Sequence, residues 1–151
     1  MKLAEALAER SDCQIRIEEM KKRLIHSARV QEGDQPAEDS TELLAETERT
    51  FVRMLELVSA INRTNSKTEF DNKRSISDAI AEREVVGKRR DFLAGIADAA
   101  STRQDRYSKS EVRFVATVSV GKLQTEVDQL AKRYRELDTR LQELNWKTEL
   151  I

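Results

Sequence analysis

Near the end of the sequence, Leu123, Val127, Leu130, Tyr134, Leu137, Leu141 and Leu144 follow alternating spacings of four and three without a break. That spacing lays one continuous apolar stripe along an α-helix, predicted here over residues 120–146. A single helix cannot bury such a stripe alone. The stripe must therefore pack against other helices of the chain or of a second copy.

The same spacing recurs upstream. Leu3, Ala6, Arg10, Cys13, Ile17, Met20 and Leu24 predict a helix over residues 2–31, with Arg10 the odd member of its stripe. Gly33 and Pro36 break the pattern, and Asp39 or Ser40 can cap a second helix over 40–64. Its stripe reads Leu44, Thr47, Phe51, Met54, Val58 and Ile61. Asn65 falls where the next stripe residue is due, and asparagine suits the left-handed residue that closes a helix. Asp71-Asn72, set between short alternating runs, predicts a β-hairpin over 67–76. Ser75 with Asp78 resembles a capping box and opens a third helix over 76–102, with Ala79, Val86, Leu93 and Ala100 inside and Arg83 and Arg90 on the adjoining row. "TRQDRYSKSE" reads as loop, and the β-branched "VRFVATVSV" as a strand or extended segment. The expected architecture is a single, mostly α domain: a long-helix bundle with coiled-coil-like packing, a small β-hairpin and a short extended piece.

Composition narrows the function. The chain is 36% charged, 38% hydrophobic and 5% aromatic, lean for a monomeric core and typical of long helices that finish their burial in an oligomer. A homo-oligomer, either a dimer or a larger ring, is therefore the expected partner. With 27 basic and 28 acidic side chains there is no long-range field for nucleic acid or for an anionic membrane. Acids interrupt every basic run, which leaves no continuous nucleic-acid surface. No apolar run approaches a membrane span, and Glu5 and Glu9 interrupt any signal-peptide core, so the expected location is the cytoplasm.

Catalytic chemistry finds little support. Cys13 is the only cysteine and His26 the only histidine, which excludes a disulfide and His- or Cys-rich metal sites. The four glycines are scattered and form no phosphate loop. Glu42 with Glu46, Asp78 with Glu82, and Glu136 with Asp138 could serve a magnesium-dependent nucleotide hydrolase only if they converged on a cavity. They flank or oppose the apolar stripes instead. No catalytic residue, metal or cofactor is expected.

Ligand or interface candidates are polar residues on or beside apolar stripes. Arg10, Arg83 and Arg90 each need a carboxylate, a backbone group or a small anion if buried. Asn62 and Arg63 stand beside the second stripe just before the predicted cap Asn65. Asn145 and Trp146 follow the last stripe, where a tryptophan can anchor a terminus or an interface. These residues leave open a helical binder of a small anion or nucleotide.

The segments "MKLAEALAER", "ARVQEGDQPAED", "INRTN", "SISDAIAERE" and "ELDTRLQELNWKTEL" cover nearly the whole chain. Together they resemble a family of small bacterial helical proteins labelled septicolysin. The resemblance implies a mostly helical, oligomeric protein without a secure activity, and its label implies a pore-forming cytolysin as the alternative.

Overall fold

The computed structural model describes residues 1–101 and 112–151. In chain order the elements are α1 (Leu3–Ser27), α2 (Ser40–Lys67), β1 (Glu69–Asp71), β2 (Arg74–Ser75), α3 (Ile76–Ser101) and α4 (Val120–Lys147). They form two compact units, one of Met1–Glu69 with Gln142–Ile151 and the other of Phe70–Leu141. The mostly helical class and the two-stranded antiparallel sheet agree with the sequence reading.

In the first unit α1 and α2 run antiparallel. From α1 the buried stripe takes Leu3, Ala6, Cys13, Met20 and Ser27, with Arg10, Ile17 and Leu24 half-buried between them. That is the predicted seam, extended by one turn. The connection after α1 turns at Gly33, whose φ of 92° favours glycine, and Asp34 N–H closes the turn on the Gln31 carbonyl at 2.9 Å. The helix itself stops at Ser27, short of the expected end near residue 31. Asp39 is the cap of α2: its Oδ1 accepts from the Thr41 and Glu42 amides at 2.9 and 3.4 Å.

The seam of α2 differs from the predicted one. Leu43, Leu57, Ile61 and Thr64 are buried, with Thr47, Thr50 and Met54 half-buried at the intervening turns. Leu44 and Phe51 are 54% and 47% exposed. The sequence carries two overlapping apolar rows that share Thr47, Met54 and Ile61. Alternating spacing alone cannot choose between Leu43/Thr50/Leu57 and Leu44/Phe51/Val58.

Nor does α2 end at the predicted place. No non-glycine residue among those described has a positive φ, so Asn65 is not a left-handed cap. The helix continues to Lys67, and Thr68 N–H bonds to the Thr64 carbonyl at 2.9 Å. Hydroxyls that could have served an early cap instead bond back along the helix: Thr64 to the Ala60 carbonyl and Ser66 to the Asn62 carbonyl. Buried Thr64 also accepts the Ile151 amide at 2.9 Å. An antiparallel β-bridge between Lys2 and Glu149 further ties the last residues to the first, through Leu3 N–H to Thr148 O and Leu150 N–H to Met1 O.

In the second unit the hairpin turns on Asp71, whose Oδ1 accepts the Lys73 amide at 3.0 Å. Ser75 and Asp78 form the expected capping box: the Ser75 amide donates to Asp78 Oδ2 at 2.9 Å, and the Asp78 amide to Ser75 Oγ at 3.2 Å. Helices α3 and α4 run antiparallel, since Arg83 meets Asp138 while Arg89 meets Glu126. Ile76, Ala79, Gly87 and Ala97 are buried on α3, and Leu130, Leu137 and Leu141 on α4. A Cβ at Gly87 would lie 3.2 Å from the Tyr134 ring, so that glycine permits the close approach.

Gly95 has no such duty, because an added Cβ meets nothing within 4 Å. Gly95→Ala is therefore expected to stabilise the chain by roughly 0.5–1 kcal/mol, because alanine leaves less unfolded-state freedom to lose. Urea unfolding at fixed protein concentration measures it, and an unchanged or lowered midpoint would contradict this account.

The predicted strand within "VRFVATVSV" is absent: residues 112–118 belong to no helix or strand, and Ser119 starts α4. β-branched composition favours a strand only where a neighbouring strand is available. The predicted loop 102–111 and the last residue of the expected third helix lie outside the described residues.

Candidate functional site

The two edges of the α1–α2 pair have opposite chemistry. Along one edge, three ion pairs recur at seven-residue steps of α1. Glu9 accepts a bidentate contact from Arg53 at 2.7 and 3.0 Å, Arg16 lies 3.6 Å from Glu46, and Arg23 meets Glu38. In an antiparallel pair these partners step backwards, along α2 and then to Glu38 just before it, as they advance along α1. Slipping α2 by two turns would set Glu9 against Glu46, or Arg16 against Arg53. Like charges in either slipped register oppose it, so this edge fixes alignment more than it adds stability. The edge borders a polar recess of about 500 Å³ lined by three arginines and three acids together with Cys13 and Thr50.

Arg53 hydrogen-bonds to Glu9 and holds its carboxyl below the usual value of 4.5, against a smaller opposing effect of desolvation. A lowered folded-state pKa contributes stability that is fully present above the unfolded value and is lost as pH falls through the folded one. Melting temperature should therefore decline below pH 4.5, and Arg53→Gln should make the decline shallower. The same slope in both proteins would show that the pair has no part in acid stability.

The other edge is apolar. Ile17, Leu24 and Ile25 of α1 and Ala28 just after it face Leu44, Thr47 and Phe51 of α2 across an open groove of about 560 Å³, also lined by Lys21 and Ser40. Leu44 and Phe51 belong to the second row of α2, the one the sequence reading took for the internal seam. Ile25 and Leu55 are also exposed, Leu55 one turn beyond Phe51. A helix with apolar residues on its seam and on one flanking row presents more than one partner helix can cover.

The individually singled-out residues are dispersed. Arg83 bonds to Asp138 at 2.6 Å. Arg90 bonds to Asp91 at 2.9 Å, and its guanidinium lies 5.0 Å from the centre of the Tyr134 ring. Asp91 also raises the Arg90 pKa through this hydrogen bond. Arg10 sits half-buried in the α1 seam, and its Nε is buried without a hydrogen-bond partner. Asn62 and Arg63 are exposed on α2, Asn65 and Asn145 are half-buried, and Trp146 is 65% exposed. Among the described residues, no hydrogen bond or ion pair joins the side chains of Asn62, Arg63, Asn65, Asn145 and Trp146.

Four of the six acids considered for magnesium are engaged elsewhere. Glu82 bridges Arg74 and Arg133, the latter at 2.7 Å, and Asp138 holds Arg83. Asp78 caps α3 and Glu46 faces Arg16. Among the described residues no group of three or more His, Cys, Asp or Glu is placed to hold a metal ion. No helix among them is long and apolar enough to cross a membrane.

Residues 10–150 match a family described as "Family of unknown function (DUF6847)". The chain belongs to this family. It is also similar to a crystal structure of a functionally unknown conserved protein from Corynebacterium diphtheriae, with 46% identity and a TM-score of 0.96 over 100% of this chain and 99% of that one. No curated protein matches. These findings correct the resemblance drawn from the sequence: neither the family nor the solved relative carries a septicolysin name.

Proposed function

We propose that this DUF6847 protein is a non-catalytic helical assembly module whose α1–α2 groove receives a helix from a second copy. The observation that carries the proposal is the one-sided apolar groove, with Phe51 and Leu44 left half in water beside a properly buried seam. Burying a large apolar side chain is worth about 1.5–3 kcal/mol, so several of them on one face give a strong reason for association. Coiled-coil-like packing belongs to this reading, because an additional helix would complete the layer that α1 and α2 leave open. Lys21 at the rim and exposed Glu48 on the same row as Leu44 and Phe51 offer unlike charges to a two-fold partner.

A cytoplasmic setting fits the single, buried and free Cys13, since thiols persist where disulfides are kept reduced. Sedimentation across the micromolar range tests the reading. The unaltered protein should associate, Phe51→Glu should lose the groove contact and fall to a smaller assembly, and Glu19→Lys, exposed on the far face of α1 from Lys21, should behave like the unaltered chain. A monomer at every concentration would sink the proposal.

A further inference from the structure

Between residue 112 and the start of α4, the sequence Arg113-Phe114-Val115-Ala116-Thr117-Val118 is exposed, bends at 117–118 and is of unusual composition. Phe114 is 79% and Val115 82% exposed. In a chain that is 36% charged, this run carries one charge, no proline and no glycine. Among the described residues, none of its backbone N–H or C=O groups has a protein hydrogen-bond partner. Proteins usually blunt such open strand edges with charge, proline or a covering element. Here none of those devices interrupts positions 114–118.

We infer that residues 113–118 form a β-strand with the same segment of a second copy, antiparallel about a two-fold axis at Ala116. Charge selects this arrangement. A parallel, in-register pair would place Arg113 on Arg113, whereas the two-fold pairing sends the two arginines to opposite ends. It sets Arg113 opposite Ser119, Phe114 opposite Val118 and Val115 opposite Thr117. Aromatic and β-branched side chains pair well across antiparallel strands. Ala116 meets its own copy at the axis. The ladder has a natural stop as well, because the Ser119 carbonyl already accepts the Leu123 amide at 3.1 Å as α4 begins.

This contact uses residues of the second unit, none of which lines the groove of the first, and does not depend on the assembly proposed there. Directly opposed Cα atoms in an antiparallel pair lie within disulfide reach, whereas two residues displaced by six positions are about 20 Å apart. Ala116→Cys and Arg113→Cys are therefore compared under mild oxidation, with the unaltered protein as the control for buried Cys13. Ala116→Cys should form covalent dimers about tenfold faster or more, given that difference in reach. Equal rates, or faster cross-linking through Arg113→Cys, would overturn the pairing.

Amide exchange gives a second reading that needs no cysteine. With Ala116 at a non-hydrogen-bonded position, the Val115 and Thr117 amides should be protected in the associated protein, and Val115→Pro, which removes a ladder donor, should expose Thr117 as well. Fast exchange in the associated protein would also overturn it. The groove is judged separately: association abolished by Phe51→Glu while Ala116→Cys fails to cross-link would leave the groove standing and remove the strand.

Discussion

Leu57→Ala is expected to cost about 2–5 kcal/mol of folding stability, while Leu55→Ala costs under about 0.5 kcal/mol. The two residues are two positions apart on α2, yet Leu57 is 1% exposed and Leu55 67%. Removing Leu57 takes three methyl or methylene-type carbons from a closed seam, so the lost transfer energy is joined by a cavity. Removing the same atoms from Leu55 opens nothing. Leu43 and Leu44 provide an independent pair, because only Leu43 lies in the seam. Leu43→Ala should resemble Leu57→Ala. Leu44→Ala should have a small effect on the isolated chain and a larger one on association. Denaturant unfolding at protein concentrations low enough to suppress association separates these effects, since binding between copies would otherwise add to apparent stability. Similar costs for Leu43→Ala and Leu44→Ala would show that the seam is misplaced.

That contrast also marks what could be read from the sequence. The α1 seam, the Ser75–Asp78 capping box and the hairpin at Asp71 were legible because each rests on local spacing or turn chemistry. The α2 seam was not, since two apolar rows of nearly equal quality share three residues. The partner rows decide between them, through pairs such as Glu9–Arg53 and Arg16–Glu46 that lie 44 and 30 positions apart in sequence. Their seven-residue recurrence on α1 was visible in principle: acids and bases at 9, 16 and 23 oppose 53, 46 and 38 when the second helix is written backwards.

The candidate site was hidden for a related reason. Attention to polar residues near apolar stripes selected Arg83 and Arg90, which in the fold have Asp138 and Asp91 beside them. The more conspicuous surface is made of leucine, isoleucine and phenylalanine that the sequence reading had assigned to the interior. An apolar residue on a helical row has no sequence mark telling whether its partner belongs to the same chain. Likewise, "VRFVATVSV" was recognisable as strand-forming material, but strand formation requires a second edge that the sequence of one chain does not reveal.

Combining Phe51→Glu with Val115→Pro should take the assembly apart in two separable steps. Each proposed surface is self-complementary, and a self-complementary contact joins copies around a two-fold axis. Two different contacts of this kind on one chain close at four copies when their axes cross at right angles, the smallest closed assembly, and the unaltered protein should be that tetramer of two kinds of dimer. Phe51→Glu places a carboxylate in the apolar groove, where an unpaired charge must be desolvated or the contact abandoned. A loss of about 2.8 kcal/mol raises a dissociation constant about a hundredfold. That variant should leave dimers that still cross-link through Ala116→Cys. Val115→Pro should leave dimers of the other kind, which no longer protect the Thr117 amide but remain sensitive to Phe51→Glu. The double variant should be monomeric, with the α-helical circular dichroism of the unaltered chain. Molar masses from light scattering across the four proteins distinguish this outcome from a ring built by one head-to-tail contact. Such a ring would be dispersed by either substitution alone, without a dimeric stage, because every subunit boundary in it is the same.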